Sequence, residues 1–211
     1  VLYIYIQHIN IKIVLTIIIE IMNLETIELE LDEENGGVHT ISFVEFPAME
    51  SNFYAFNEHK VEFKSIDDDK RIVVGVALIP DKEIPRNGKD GMYNVIMSKE
   101  TVKRASEFYL QNHNQHSANL DHNKHKTVDG CCVVESWIVE DTKFDKSALY
   151  GLDAPLGSWV VSYKIDNDDV WADVKEGKYL GFSIEGFLKP KEAEPISEED
   201  EIIAKLIKLL E

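Results

Sequence analysis

The chain has 211 residues, 44% hydrophobic and 29% charged, with 22 Lys and Arg against 39 Asp and Glu for a formal net charge of −17. The length suits one domain with appendages, and the composition is that of a globular protein rather than a disordered or collagenous one. The acidity argues against nucleic acid, whose phosphates need a surplus of Lys and Arg on one face, and against anionic membrane surfaces.

Val1 to Ile21 is dense in isoleucine and lacks a clear amphipathic period. Gln7, His8, Asn10, Lys12 and Glu20 interrupt it as a membrane span, and it has neither the basic start nor the small-residue cleavage site of a signal peptide. Its bias is that of translated AT-rich DNA, so residues 1–21 are read as a doubtful hydrophobic extension, either the product of a start set upstream of Met22 or a real hydrophobic strand or anchor.

From Met22 the pattern alternates through Leu29 and Leu31 to the turn-prone Asn35-Gly36-Gly37, and Val38 to Phe46 alternates again; the pair reads as a hairpin. Asn52 to Phe63 carries aromatic alternation. Arg71 to Pro80 is the continuous apolar run of a buried strand, Lys82 to Gly91 a polar loop, and Tyr93 to Met97 a short strand. Ser98 is placed as a helix N-cap, with Val102, Ala105, Phe108 and Tyr109 at helical spacing behind it. Strands are expected over Cys131 to Val139, Gly157 to Ile165 and Lys178 to Leu188, with a short helix over Asp168 to Lys175. Residues 22–190 form the body. Residues 191–211 are an acidic linker and a terminal helix whose apolar stripe includes Ile202, Leu206 and Leu210. Many strands with few helices between them predict an α+β barrel or sandwich rather than a doubly wound sheet. Adjacent Cys131 and Cys132 cannot staple such a fold, so a reducing cytosolic setting is expected.

Histidine is unevenly spread. His113, His116, His122 and His125 fall within thirteen residues. A metal site is one reading, but Asn and Gln fill the gaps and no thiolate lies inside the cluster; a polar loop is the other. His122 precedes a strand, a position from which one ring nitrogen can face a cleft as a general base. Ser183 lies in Gly181-Phe182-Ser183-Ile184-Glu185-Gly186. This is not the hydrolase elbow, because Glu185 stands where that motif has glycine; Ser183 is either a packed strand serine or a nucleophile with amide donors beside it.

Val128 to Ser147 (VDGCCVVESWIVEDTKFDKS) and Tyr179 to Gly186 (YLGFSIEG) resemble the phage serine protease family of XkdF type, and Phe43 to Phe56 and Arg71 to Arg86 resemble its opening strands. That family is similar to the prohead maturation proteases of tailed phages, which share the herpesvirus assemblin fold. The resemblance implies a mostly antiparallel β-barrel with flanking helices, Ser183 as nucleophile and His122 as general base. Assemblins use a second histidine after the serine, and none follows His125 here. An acid therefore substitutes or the pair works as a dyad; Glu135 is taken as the group that orients His122, with Asp141, Asp121 and Glu185 as the other acids open to that role.

The implied activity is a serine endopeptidase of head maturation, needing no cofactor or metal. It would cleave scaffold and major capsid proteins and itself inside the immature phage head (prohead) in the host cytoplasm. Portal is a further expected partner and a homo-oligomer the expected state, with no nucleic acid and no membrane. A catalytically silent head-assembly protein of the same fold is the alternative.

Overall fold

Long-range pairing, more than local pattern, decides where each strand lies. The computed structural model describes residues 24–45, 64–67, 70–89, 91–123, 125 and 127–192. The 1–21 extension, the alternation at 52–63 and the terminal helix lie outside them. In chain order the elements are β1 (Thr26–Leu31), β2 (Val38–Val44), β3 (Lys64–Asp67), β4 (Ile72–Leu78), β5 (Ile84–Gly88), β6 (Gly91–Met97), α1 (Lys99–Gln111) and a 3-10 turn (Asn114–His116). They continue as β7 (Ala118–Leu120), β8 (Cys131–Ile138), α2 (Lys146–Leu149), β9 (Trp159–Ile165), α3 (Asp168–Lys175), β10 (Gly181–Gly186) and β11 (Leu188–Pro190).

The strands form three sheets, in the orders β11-β1-β6-β5, β10-β2-β7 and β3-β4-β9-β8. The α+β class expected from the sequence is therefore found. Among the described residues no sheet closes on itself, so the closed barrel implied by the resemblance is not seen. No helix among them is long and apolar enough to cross a membrane.

Two local expectations change. The hairpin across Asn35-Gly36-Gly37 does not form, although both of its strands do. β1 pairs in parallel with β6 and antiparallel with β11, whereas β2 pairs with β10 and β7. The intervening turn, closed by the Gly37 N–H donating to the Asp32 carbonyl at 2.8 Å, carries the chain from one sheet to the next. Gly37 has φ +49°, and a Cβ there would lie 2.7 Å from the Phe108 ring, so both backbone hand and space require glycine. The second change is at Lys82 to Gly91, where β5 forms a hairpin with β6. β5 is the edge of its sheet, a place where Pro85 costs no ladder hydrogen bond on the open side.

The N-cap at Ser98 is present: its hydroxyl accepts from the Thr101 N–H, and Val102, Ala105, Phe108 and Tyr109 are the buried stripe of α1. The core centres on aromatic rings from separate elements. Phe43 of β2 lies 5.0 Å from Tyr163 of β9 and 5.5 Å from Phe182 of β10, between ring centroids. Tyr109 of α1 packs edge-on against Trp159 of β9. Each such pair contributes about 0.5–1.5 kcal/mol beyond the area it buries. Together they lock the sheet that carries β10 onto the sheet that carries β9.

Candidate active site

Phe182 is 1% exposed and belongs to the aromatic core, so strand alternation turns Ser183 and Glu185 to the opposite face of β10. The antiparallel register places Ser183 opposite Ser42 and Glu185 opposite Thr40, and β7 brings Asn119 level with Ser42. One face of this small sheet is thus polar, and most of it is buried: Thr40, Ser42, Asn119 and Ser183 are all under 9% exposed. Polar groups removed from water cost several kcal/mol apiece unless they are hydrogen-bonded.

Glu185 organises that face. Its Oε1 accepts from Asn119 Nδ2 at 2.6 Å and from the Ser42 hydroxyl at 2.9 Å, and lies 3.1 Å from His122 Nδ1. Burial works to raise the Glu185 pKa, but the hydrogen bonds from Asn119, Ser42 and His122, with the charge of His122, prevail and hold it below its ordinary value. A carboxylate can only accept. The nitrogen facing it is therefore the one that carries hydrogen, and in the neutral imidazole Nε2 is left with the free lone pair. Ser42 Oγ lies 3.3 Å from the same Nδ1 and supports this orientation.

His122 reaches Glu185 from a tight turn. Asp121 and His122 both have positive φ, 51° and 56°, and the turn is closed by the Asn123 N–H donating to the Leu120 carbonyl. Non-glycine residues in this region cost of order 1–3 kcal/mol each, and Arg71, Asp81 and His113 elsewhere in the chain share it. The Asp121 N–H donates to the Phe43 carbonyl and its carboxylate accepts from the Glu45 N–H, tying the turn to the end of β2. At the other end of the site, Gly186 lets two backbones meet. A Cβ there would lie 2.7 Å from both Gly37 O and Val38 Cα.

Ser183, His122 and Glu185 line one cleft of about 530 Å³, together with His39, Arg86 and an aliphatic wall that includes Leu78 and Ile184. Ser183 is 4% exposed, and its hydroxyl makes no hydrogen bond among the described residues. A second cleft of about 500 Å³, lined by charged residues such as Glu33 and Arg104, contains none of these groups.

The structure does not bring Glu135 to His122. Glu135 accepts from Lys146 and from the Ser162 hydroxyl on β9, and these two contacts hold its pKa down. Asp141 accepts the N–H groups of Lys143 and Phe144 in a turn. Of the acids weighed from the sequence, Glu185 is the one hydrogen-bonded to the imidazole. Its side chain is 15% exposed and that of His122 42%. Ser42 and Asn119 were not singled out in the sequence. Their signal is a polar residue between apolar neighbours, Ile41-Ser42-Phe43 and Ala118-Asn119-Leu120.

The rest of the histidine cluster does not assemble. Among the described residues no group of three or more His, Cys, Asp or Glu is arranged to hold a metal ion. His116 Nε2 lies 3.7 Å from Cys132 Sγ. Burial raises the Cys132 thiol and pushes Cys131 up to about 12, so neither is a thiolate at neutral pH.

Ser183, His122 and Glu185 are thus residue types that a serine hydrolase uses, gathered along one cleft. Residues 60–192 match the family described as "Putative phage serine protease XkdF", and the chain belongs to that family. It is 26% identical over 171 residues to the phage-like element PBSX protein XkdF of Bacillus subtilis (strain 168), covering 77% of this chain and 56% of that protein. The chain thus spans little more than half the length of that relative. No solved structure matches.

Proposed function

We propose that the protein is a serine endopeptidase with Ser183 as nucleophile, His122 as general base and Glu185, in place of Glu135, as the orienting carboxylate. The observation that carries this reading is the contact of Glu185 Oε1 with His122 Nδ1, because it directs the basic Nε2 away from the acid. Nε2 takes the Ser183 proton as the Ser183 oxygen attacks a peptide carbonyl carbon. Backbone N–H groups at the site stabilise the oxyanion, a contribution of about 2.7–4 kcal/mol per donor in such enzymes. His122 then gives the proton to the leaving amine as the C–N bond breaks, and the acyl group stays on Ser183. Water attacks this ester, passing its proton to His122 and from there back to Ser183, which releases the acid product.

The membership supports phage proteins as substrates, and we take these to be scaffold and major capsid proteins and the chain itself, cut inside the immature head by an oligomer in contact with portal. A second reading, the catalytically silent head-assembly protein, has one observation in its favour. The Ser183 hydroxyl is nearly buried and is not hydrogen-bonded to His122. The two separate when the full chain is incubated with the scaffold and capsid proteins encoded beside it. Cleavage by the wild type and none by Ser183→Ala supports the peptidase; equal cleavage by both, or none by either in an assembled head, leaves the silent reading. A chelator is expected to leave cleavage unchanged, and its loss on chelation would return the histidine cluster to a metal role.

A further inference from the structure

The chain has three arginines, and two of them are neutralised: Arg71 bonds Asp168, and Arg104 grips both carboxylate oxygens of Glu33. The third, Arg86, stands on the edge strand β5 and lines the cleft that holds Ser183 and His122. Its one side-chain hydrogen bond among the described residues is to the carbonyl of its own neighbour Pro85, at 3.1 Å, so most of its N–H donors have no protein acceptor there. In a chain with 39 acidic residues this is an exception. Glu185 is the one carboxylate among the described residues that lines the same cleft, and its Oε1 is already committed to His122, Ser42 and Asn119. Arg86 is also the one Lys or Arg among the cleft residues.

Although the residue is exposed, the surrounding atoms desolvate its charge enough to lower its pKa, opposite to the rise that Glu33 gives Arg104. A guanidinium is planar and offers parallel N–H groups that match a carboxylate in two-point fashion. A partly desolvated guanidinium lining the same cleft as Ser183, with no acid bonded to it among the described residues, is therefore a receptor for a carboxylate brought by the substrate.

We propose that Arg86 is a specificity-determining residue that binds an acidic side chain of the substrate, so that the enzyme selects peptide segments carrying Asp or Glu near the bond presented to Ser183. This rests on the peptidase reading and names its substrate class. The shared chemistry is a peptide carboxylate, and a side chain is the source for an enzyme that cuts within chains; a free C-terminus is the competing source.

The test measures binding apart from cleavage. The full-length Ser183→Ala protein is titrated with fluorescent hexapeptide pools, blocked at both ends, degenerate except for one central residue fixed as Glu, Gln or Lys. The Glu pool is expected to bind about tenfold more tightly than the Gln pool, as one charge-assisted contact provides. Adding Arg86→Ala should abolish that difference, and Arg86→Glu should turn the preference toward the Lys pool. Since Arg86 is exposed on an edge strand, neither change disturbs the core. Equal binding of the Glu and Gln pools overturns the proposal, as does a preference that survives Arg86→Ala or one that appears only with unblocked C-termini. In parallel, the wild type is given the same pools and its cut sites are read by mass spectrometry. Acid-selective binding without Ser183-dependent cutting would refute the peptidase and keep Arg86 as an acid receptor. Ser183-dependent cutting indifferent to acid would do the reverse.

Discussion

Glu135 and Glu185 are held in similar ways yet face different partners. Each sits on a strand, accepts a hydrogen bond from a serine on the neighbouring strand, and has its pKa lowered by its partners. The cation beside Glu135 is Lys146, on a long exposed side chain, whereas the partner of Glu185 is an imidazole on a strained turn. Lysine is charged throughout the physiological range and only completes an ion pair. Histidine changes its proton count there, so a carboxylate on its Nδ1 controls which nitrogen does chemistry. On the peptidase reading, the partner, more than the acid or its strand, separates the two glutamates.

Removing the proposed nucleophile breaks the comparison most severely. Ser183→Ala, and separately His122→Ala, should lower kcat/KM for scaffold cleavage by about 10³-fold or more, read from single-turnover rates. Next comes the carboxylate itself. Glu185→Gln should cost about 10²–10⁴-fold in kcat, because a glutamine can hold the wrong imidazole tautomer, whereas Glu135→Gln should leave kcat within about twofold. The opposite ranking would restore Glu135 to the site.

The acid limb of stability sharpens the contrast. The folded pKa of Glu185 lies below its ordinary value of 4.5, so between the two the unfolded chain binds more protons and stability rises with pH. The contribution is complete above about 4.5 and is lost as pH falls through the depressed folded value. In denaturant titrations, Glu185→Gln should therefore be less stable than wild type at neutral pH and converge with it in acid.

Smaller effects are expected from the residues that hold Glu185. Ser42→Ala and Asn119→Ala should each lower kcat about tenfold with KM unchanged, since they position the acid without reaching substrate. A KM change in place of a kcat change would assign them to binding. Smallest of all, iodoacetamide at neutral pH should leave cleavage unaffected, because burial keeps both thiols protonated.

Much of the body was legible. The strands at 72–78, 131–138 and 159–165, the capped helix after Ser98 and the short helix at 168–175 follow from alternation, apolar runs and capping chemistry. The missed hairpin shows where such reading stops. The residues 33–36 mark a change of direction, but nothing local tells β1 to pair with β6 and β2 with β10. The resemblance, not the local pattern, singles out Ser183 and His122 as candidates. Which of Glu135, Asp141, Asp121 and Glu185 meets His122 is not legible locally, because it depends on which strands are neighbours. Had the polar interruptions at Thr40, Ser42 and Asn119 been weighed as buried, they would have pointed to the sheet that carries Glu185.

The amino-acid order by itself determined an acidic α+β protein, the direction in which Phe182 and Ser183 must part, and a small set of groups able to do acid–base work. Those properties depend on neighbours a few residues apart, where strand period and side-chain chemistry act directly. Tertiary structure decided which carboxylate meets the imidazole, which arginine has no acid bonded to it among the described residues, and which cleft holds both. Such meetings depend on the register of β10 against β2 and of β2 against β7, set by burial of the aromatic core across distant parts of the chain.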